Sequence, residues 1–373
     1  MSKGVYIGVE GYAHKVTSMY IGVDGVARKI KKAYLGVEGY ARLFYSVVGL
    51  SKATVSISNV RSTHKYGASA SIGSYAIFAG GGDDCYVDAC SPSLTMYAPQ
   101  PDLANKRAFL CGCGFDGDGV FAGGRSPTGE YLNTVECYTS SLSYRTLASL
   151  TYARSGAAMA ATTNHLVIFG GGDDGHLYVE YAETYDKRLT KSNDIQCKGE
   201  IYGCGVSCSG MAWFCDGYLD LVVFDDNMTF TRHSLSTGRQ SLAGAAVGNY
   251  VLFAGGHTGS SDEPLSTIEA YDSNITKVIV EDLPNAVCDL SGTSVGPYAL
   301  FGGGISKAIP TTTYSDVAVY DENLTRTLFS LSSARYGHVS ASVGDYALFA
   351  GGGWENRSTV KNYKTVEVFE YGG

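Results

Sequence analysis

The chain has 373 residues, of which 48 are glycine, 28 tyrosine and only 8 proline, and 17% of it is charged. At 45% hydrophobic it is too apolar for a disordered chain, and glycines that come in pairs and triplets rather than at every third place exclude collagen. The net charge of −8 argues against a nucleic-acid partner, whose phosphates call for a basic face, and no apolar run reaches the ~18 residues of a membrane insertion.

The opening stretch, MSKGVYIGVEGYAHK, meets Glu10 and several glycines before the apolar core of a signal peptide forms. Synthesis in a cytoplasm, without export by the general secretory route, is the expectation, and the ten cysteines then read as thiols. Residues 5–46 contain three copies of one unit, with Gly8, Gly22 and Gly36 recurring every 14 residues and Gly11, Gly25 and Gly39 doing the same. Each copy is a β-prone run, a Glu-Gly or Asp-Gly pair suited to a two-residue turn, and a second run, which predicts three short hairpins. Hairpins of this size are marginal alone, so the 1–46 module is expected to rest on a partner or a second copy of itself, a homo-oligomer. It holds seven basic residues against three acidic ones, a net +4 that leaves −12 to residues 47–373. Arg28, Lys29, Lys31 and Lys32 are its candidate docking residues for an acidic surface, with a solvated basic face as the plain alternative.

From residue 54 a longer repeat takes over. An apolar strand running into Gly-Gly recurs as YAIFAGGG (75–82), GVFAGG (119–124), LVIFGGG (166–172), YVLFAGG (250–256), YALFGGG (298–304) and YALFAGGG (346–353), with MAWFCDG (211–217) in the remaining place. The phenylalanines Phe78, Phe121, Phe169, Phe214, Phe253, Phe301 and Phe349 mark seven units at spacings of 39 to 48 residues. That spacing fits an all-β, seven-bladed β-propeller with one four-stranded blade per unit. Each unit opens on small residues, as in GASASIG (67–73), SGAAMAA (155–161) and HVSASVG (338–344), which suit an innermost strand where blades converge. A third strand carries an acid-x-aromatic signature in TVECYT (134–139), AETYD (182–186), IEAYD (268–272) and TVEVFE (365–370), and VAVYD (317–321) keeps the aromatic. The last unit stops after its third strand, whereas TVSISNV (54–60) aligns with the fourth-strand segment TRTLFSL (325–331), so 54–60 is predicted to supply the missing outer strand and close the ring.

These residues resemble kelch repeats, whose marks are the double glycine, the later aromatic with its acid and a period near 50. The resemblance spans residues 54–373. It departs from the family in lacking the usual outer-strand tryptophan in most units, and the fourth unit (200–234) has no double glycine. Kelch-like propellers commonly capture partners on the face that carries the loops between strands two and three, the same face as the interblade crossings. There the sequence offers Asp83, Asp84 and Tyr86, then Asp173, Asp174, His176 and Tyr178, then His257, then Trp354 and Glu355, while the crossings bring Arg107, Arg154, Arg239 and Arg335. Aromatic and polar side chains on a rigid rim suit a sugar or a protein surface; the plain alternative is that the acids solvate loops and the arginines bridge neighbouring blades.

No catalytic group, cofactor or metal set is nominated. Gly112-Cys113-Gly114-Phe115-Asp116-Gly117 formally fits G-x-G-x-x-G, but a strand follows where a dinucleotide site needs a helix. The N-terminal repeats, with YIGVDGVARK at their centre, resemble modules of tail and fibre proteins of phages and prophages of Gram-positive bacteria. That resemblance implies a virion protein, made in the host cytoplasm, whose hairpin module docks to a tail or other virion structural protein and whose propeller binds a host surface protein or glycan. Two other readings stay open: a propeller enzyme acting on a carbohydrate, and an intracellular kelch-like interaction scaffold.

Overall fold

The structure is a computed structural model that describes residues 49–172, 178–259, 263–307, 311–356 and 359–372, together with the backbone of six strands between residues 6 and 46. The chain divides into two compact units, residues 1–53 with 369–373 and residues 54–368. In the first, three antiparallel hairpins pair Tyr6–Val9 with Tyr12–Lys15, Met19–Val23 with Val26–Ile30, and Lys32–Val37 with Tyr40–Ser46. The innermost pairs are Val9 with Tyr12, Val23 with Val26 and Val37 with Tyr40; the Glu-Gly, Asp-Gly and Glu-Gly dipeptides between them lie outside the described residues.

Seven four-stranded antiparallel sheets follow, one per repeat, giving the seven-bladed β-propeller. The innermost strands are Ala68–Ser71, Cys111–Phe115, Ala158–Ala161, Cys204–Cys208, Ala243–Val247, Ser291–Val295 and Val339–Val343. In most blades the strands run outward in chain order, and blades six and seven carry an extra small hairpin, Ile305–Ser306 with Thr312–Thr313 and Gly353–Asn356 with Thr359–Asn362. All seven repeat phenylalanines are at most 1% exposed. They explain the small residues of the inner strands, because a β-carbon on Gly112 would fall 2.9 Å from the Phe121 ring and 2.9 Å from the Ser69 carbonyl of the previous blade.

Closure is achieved by an N-terminal outer strand, but not by the predicted one. Gly49–Lys52 pairs antiparallel with Phe369–Gly372 at the end of the seventh sheet, with Lys52 opposite Phe369 and Gly49 opposite Gly372. Residues 54–60 form no strand and contribute one bond, from the Val60 amide to the Lys364 carbonyl (2.9 Å). The similarity of 54–60 to the outer-strand segment 325–331 does not fix the pairing, because an outer strand is mostly exposed and places little demand on residue type.

A second closure lies at the axis. Tyr66, Phe109, Gly156, Tyr202, Ser241, Asp289 and Gly337, one from each blade, all adopt left-handed backbone with φ between 52° and 66°. The amide of each donates to the carbonyl of its predecessor over 2.7 to 3.0 Å, and Tyr66 donates to Gly337, so seven peptides form an unbroken hydrogen-bonded ring.

Candidate functional site

The double glycines and the crossings share one face of the propeller, bonded directly to each other. The amides of Gly81, Gly124, Gly304 and Gly352 donate to the carbonyls of Arg107, Arg154, Arg335 and Thr63 in the next crossing, over 2.6 to 2.8 Å. The first glycine leaves no space for a side chain: a β-carbon on Gly351 would lie 1.8 Å from the Thr63 carbonyl.

The crossing arginines belong to this scaffold. Arg107, Arg154, Arg239 and Arg335 are all fully buried. Each guanidinium donates to the carbonyl of the next blade's first glycine, Gly123, Gly170, Gly255 or Gly351, over 3.0 to 3.1 Å. Each also reaches the acid of the acid-x-aromatic signature: Arg107 to Glu136, Arg154 to Glu183 at 2.6 Å, Arg239 to Glu269 at 3.6 Å and Arg335 to Glu367 at 3.2 Å. The aromatic that follows ties down the crossing, with the Tyr138 and Tyr185 hydroxyls donating to the Pro101 and Ala148 carbonyls. In blade one His64 and Asp88 take the same two places, 2.8 Å apart. In blade six both are gone, replaced by Val287 and Ala318, and in blade four Val222 stands where the acid would be. Acid and base are retained or lost together, as expected where an unpaired buried charge is costly. These four arginines therefore bridge blades and do not reach the outer face.

The rim residues divide differently. Asp173, Asp174 and His176 lie outside the described residues, as does Lys31. Arg28 and Lys29 fall on Val26–Ile30 and Lys32 opens Lys32–Val37, where only the backbone is described. Tyr86 is exposed and carries the Arg61 guanidinium 4.8 Å above its ring, next to Asp84, which accepts from Ser62, and exposed Asp83. Tyr178 holds the Lys198 ammonium 3.8 Å over its ring, and Trp354 has that of Lys361 at 5.4 Å. Glu355 and His257 turn toward the axis: the Tyr336 hydroxyl donates to Glu355 (2.7 Å), and Lys307 Nζ stands 3.5 Å from His257 Nε2.

Above the peptide ring opens a cavity of about 200 Å³ to which all seven blades contribute. One side is aromatic. Tyr66 stacks on Phe109 at 4.8 Å, Tyr336 meets Tyr66 edge-on at 6.4 Å, and Tyr202 meets Phe109 edge-on at 5.7 Å. Tyr202 spans two blades because Gly156 between them has no side chain; a β-carbon there would sit 3.0 Å from its ring. The opposite side is polar, with Ser241 and Asp289. Burial holds the Asp289 carboxyl above the usual carboxylate range, against the pull of Lys307, His257, Ser241 and Lys65. Lys65 completes the rim, its ammonium 4.2 Å from the Tyr336 ring centre and donating to the Tyr336 hydroxyl (2.7 Å). Burial lowers Lys65 below its ordinary value, opposed by Glu355 and Asp289.

Tyr66, Phe109, Tyr202, Ser241 and Asp289 carry no motif in the sequence, since the same place in other blades holds glycine. The signal available was positional: each sits two residues after the scaffold arginine or its substitute. Five non-glycine residues in left-handed backbone cost about 1–2 kcal/mol each, offset by the hydrogen bonds of the peptide ring that this conformation permits. The first hairpin turns of blades two, three and four line a separate recess of about 360 Å³, which includes Phe115, Thr162, Ser207 and Gly210 and has no comparable run of aromatics. Among the described residues no group of three or more His, Cys, Asp or Glu gathers as a metal site, and no helix is long and apolar enough to cross a membrane. All ten cysteines are free, and burial pushes Cys111 and Cys204 up to about 12, which leaves little thiolate for chemistry. No protein-family model and no curated protein matches the chain.

Proposed function

We propose that this chain is a non-catalytic attachment protein of a phage or prophage particle, a tail or fibre component in which the propeller binds a host surface protein or glycan and the basic hairpin module docks to a virion structural protein. The observation that carries the binding half is the axial mouth, where an aromatic arc faces Ser241 and Asp289 across the cavity. Rigid aromatics opposite a few convergent polar groups are the composition of a small-ligand site. The particle half is supported by the resemblance of the 5–46 repeats to tail and fibre modules and by their net positive charge beside an acidic remainder.

The test is to label the full chain, measure its binding to Gram-positive cells and isolated cell walls, and probe purified particles for it. Saturable wall binding together with presence in the particle supports the proposal. Retention on a cytoplasmic partner without either result identifies a kelch-like scaffold, and turnover on a glycan panel identifies an enzyme.

A further inference from the structure

We infer that the axial mouth takes one pyranose ring, with its apolar face against the Tyr66–Phe109–Tyr202 arc and its hydroxyls on Asp289 and Ser241. This rests on the binding reading above and narrows it to a ligand class and a pose. The cavity of about 200 Å³ is below the size that accommodates a drug-sized ligand, so it fits a single ring and not a folded peptide segment. A pyranose has one face rich in C–H bonds and an edge of hydroxyls, and the mouth is divided in the same way. Tyr66 and Phe109 stack on each other at 4.8 Å with an interplanar angle of 23°, and the Tyr202 ring beside them is 36% exposed, so its surface is open to a ligand's C–H face. On the facing side, the Asp289 carboxylate takes a hydrogen bond from the Ser241 side chain and lies 4.0 Å from the Cys288 thiol, which leaves part of its lone-pair capacity to accept from ligand hydroxyls. Ser241 precedes it in the ring, its backbone carbonyl taking the Asp289 amide at 2.9 Å, which places both polar groups on adjacent blades. Lys65, already held over Tyr336 and bonded to its hydroxyl, stands beside the arc with its ammonium 5.4 Å from the Tyr66 ring centre.

Saturation-transfer NMR on the full chain tests this with methyl glycosides of glucose, galactose, rhamnose and N-acetylglucosamine as probes. At least one should receive saturation from aromatic protons. Asp289→Asn, which keeps a residue tolerant of left-handed backbone, should weaken that glycoside about tenfold, and Tyr202→Asn should do the same. Unchanged melting of both variants shows that the scaffold survives. Absence of transfer to every glycoside, or transfer unaffected in both variants, overturns the inference. If wild-type chain and Asp289→Asn bind cells equally, the pose is wrong while the attachment reading stands; if the wild-type chain binds no cells, the attachment reading itself fails.

Discussion

Arg107 offers a direct test of how the blades are held together. Its guanidinium is fully buried and bonds the Gly123 carbonyl, the Thr134 side chain and the Glu136 carboxylate, while Glu136 also accepts from the Ala104 amide (2.7 Å) and the Tyr144 hydroxyl (3.0 Å). Arg107→Val leaves Glu136 charged, buried and short of its main partner, a change that costs about 3–5 kcal/mol. Glu136→Ala strands the arginine and should cost a similar amount. The double variant Arg107→Val/Glu136→Ala reproduces what blade six already contains, Val287 and Ala318. It should therefore recover about 0.5–3 kcal/mol relative to the sum of the single variants, the range expected of directly coupled groups. The assay is equilibrium denaturation in guanidinium chloride followed by circular dichroism, with the cycle evaluated at a common denaturant concentration. Additive single effects would refute the argument that acid and base persist only as a pair.

Three further outcomes follow from the same geometry. His338 occupies the place filled by Leu110, Leu242 and Leu290 in other blades, 5% exposed and with neither ring nitrogen bonded, and burial aided by Arg335 holds it well below its ordinary value. Its neutral form is thus the folded form, so stability should fall as pH drops below about 6.5, where the unfolded chain takes up a proton that the folded chain refuses; His338→Leu should raise the melting temperature and flatten that part of the pH profile. Gly351→Ala, which forces a β-carbon to 1.8 Å from the Thr63 carbonyl at φ +70°, should cost about 4 kcal/mol or more, read as a lower denaturation midpoint or loss of soluble protein. Leu50→Pro removes an amide from the Gly49–Lys52 strand opposite Tyr371 and should make the C-terminal strand accessible to limited proteolysis, whereas the same change at Val55, which lies in no strand, should not.

The fold was legible because its demands repeat. Phe78 and its six counterparts must all be buried against small inner strands, and the glycines after them must all pass within contact of a neighbouring carbonyl, so chemistry recurs wherever geometry does. The arginines were visible but their role was not. Arg107 and Glu136 are 29 residues apart, as are Arg154 and Glu183, and only the pairing of crossing with third strand shows that each cation is consumed inside the scaffold.

The sequence by itself determined the number of blades, the three hairpins and the face on which loops and crossings meet, because burial and turn geometry leave periodic marks on residue type. Tertiary structure alone decided which segment closes the seventh sheet and where the axial mouth lies. The closing strand Gly49–Lys52 is held by backbone pairing, which any side chain can supply. The mouth is defined by a ring of left-handed peptides that accepts tyrosine, phenylalanine, glycine, serine or aspartate alike, and only convergence on one axis turns those unlike residues into an aromatic arc facing a carboxylate.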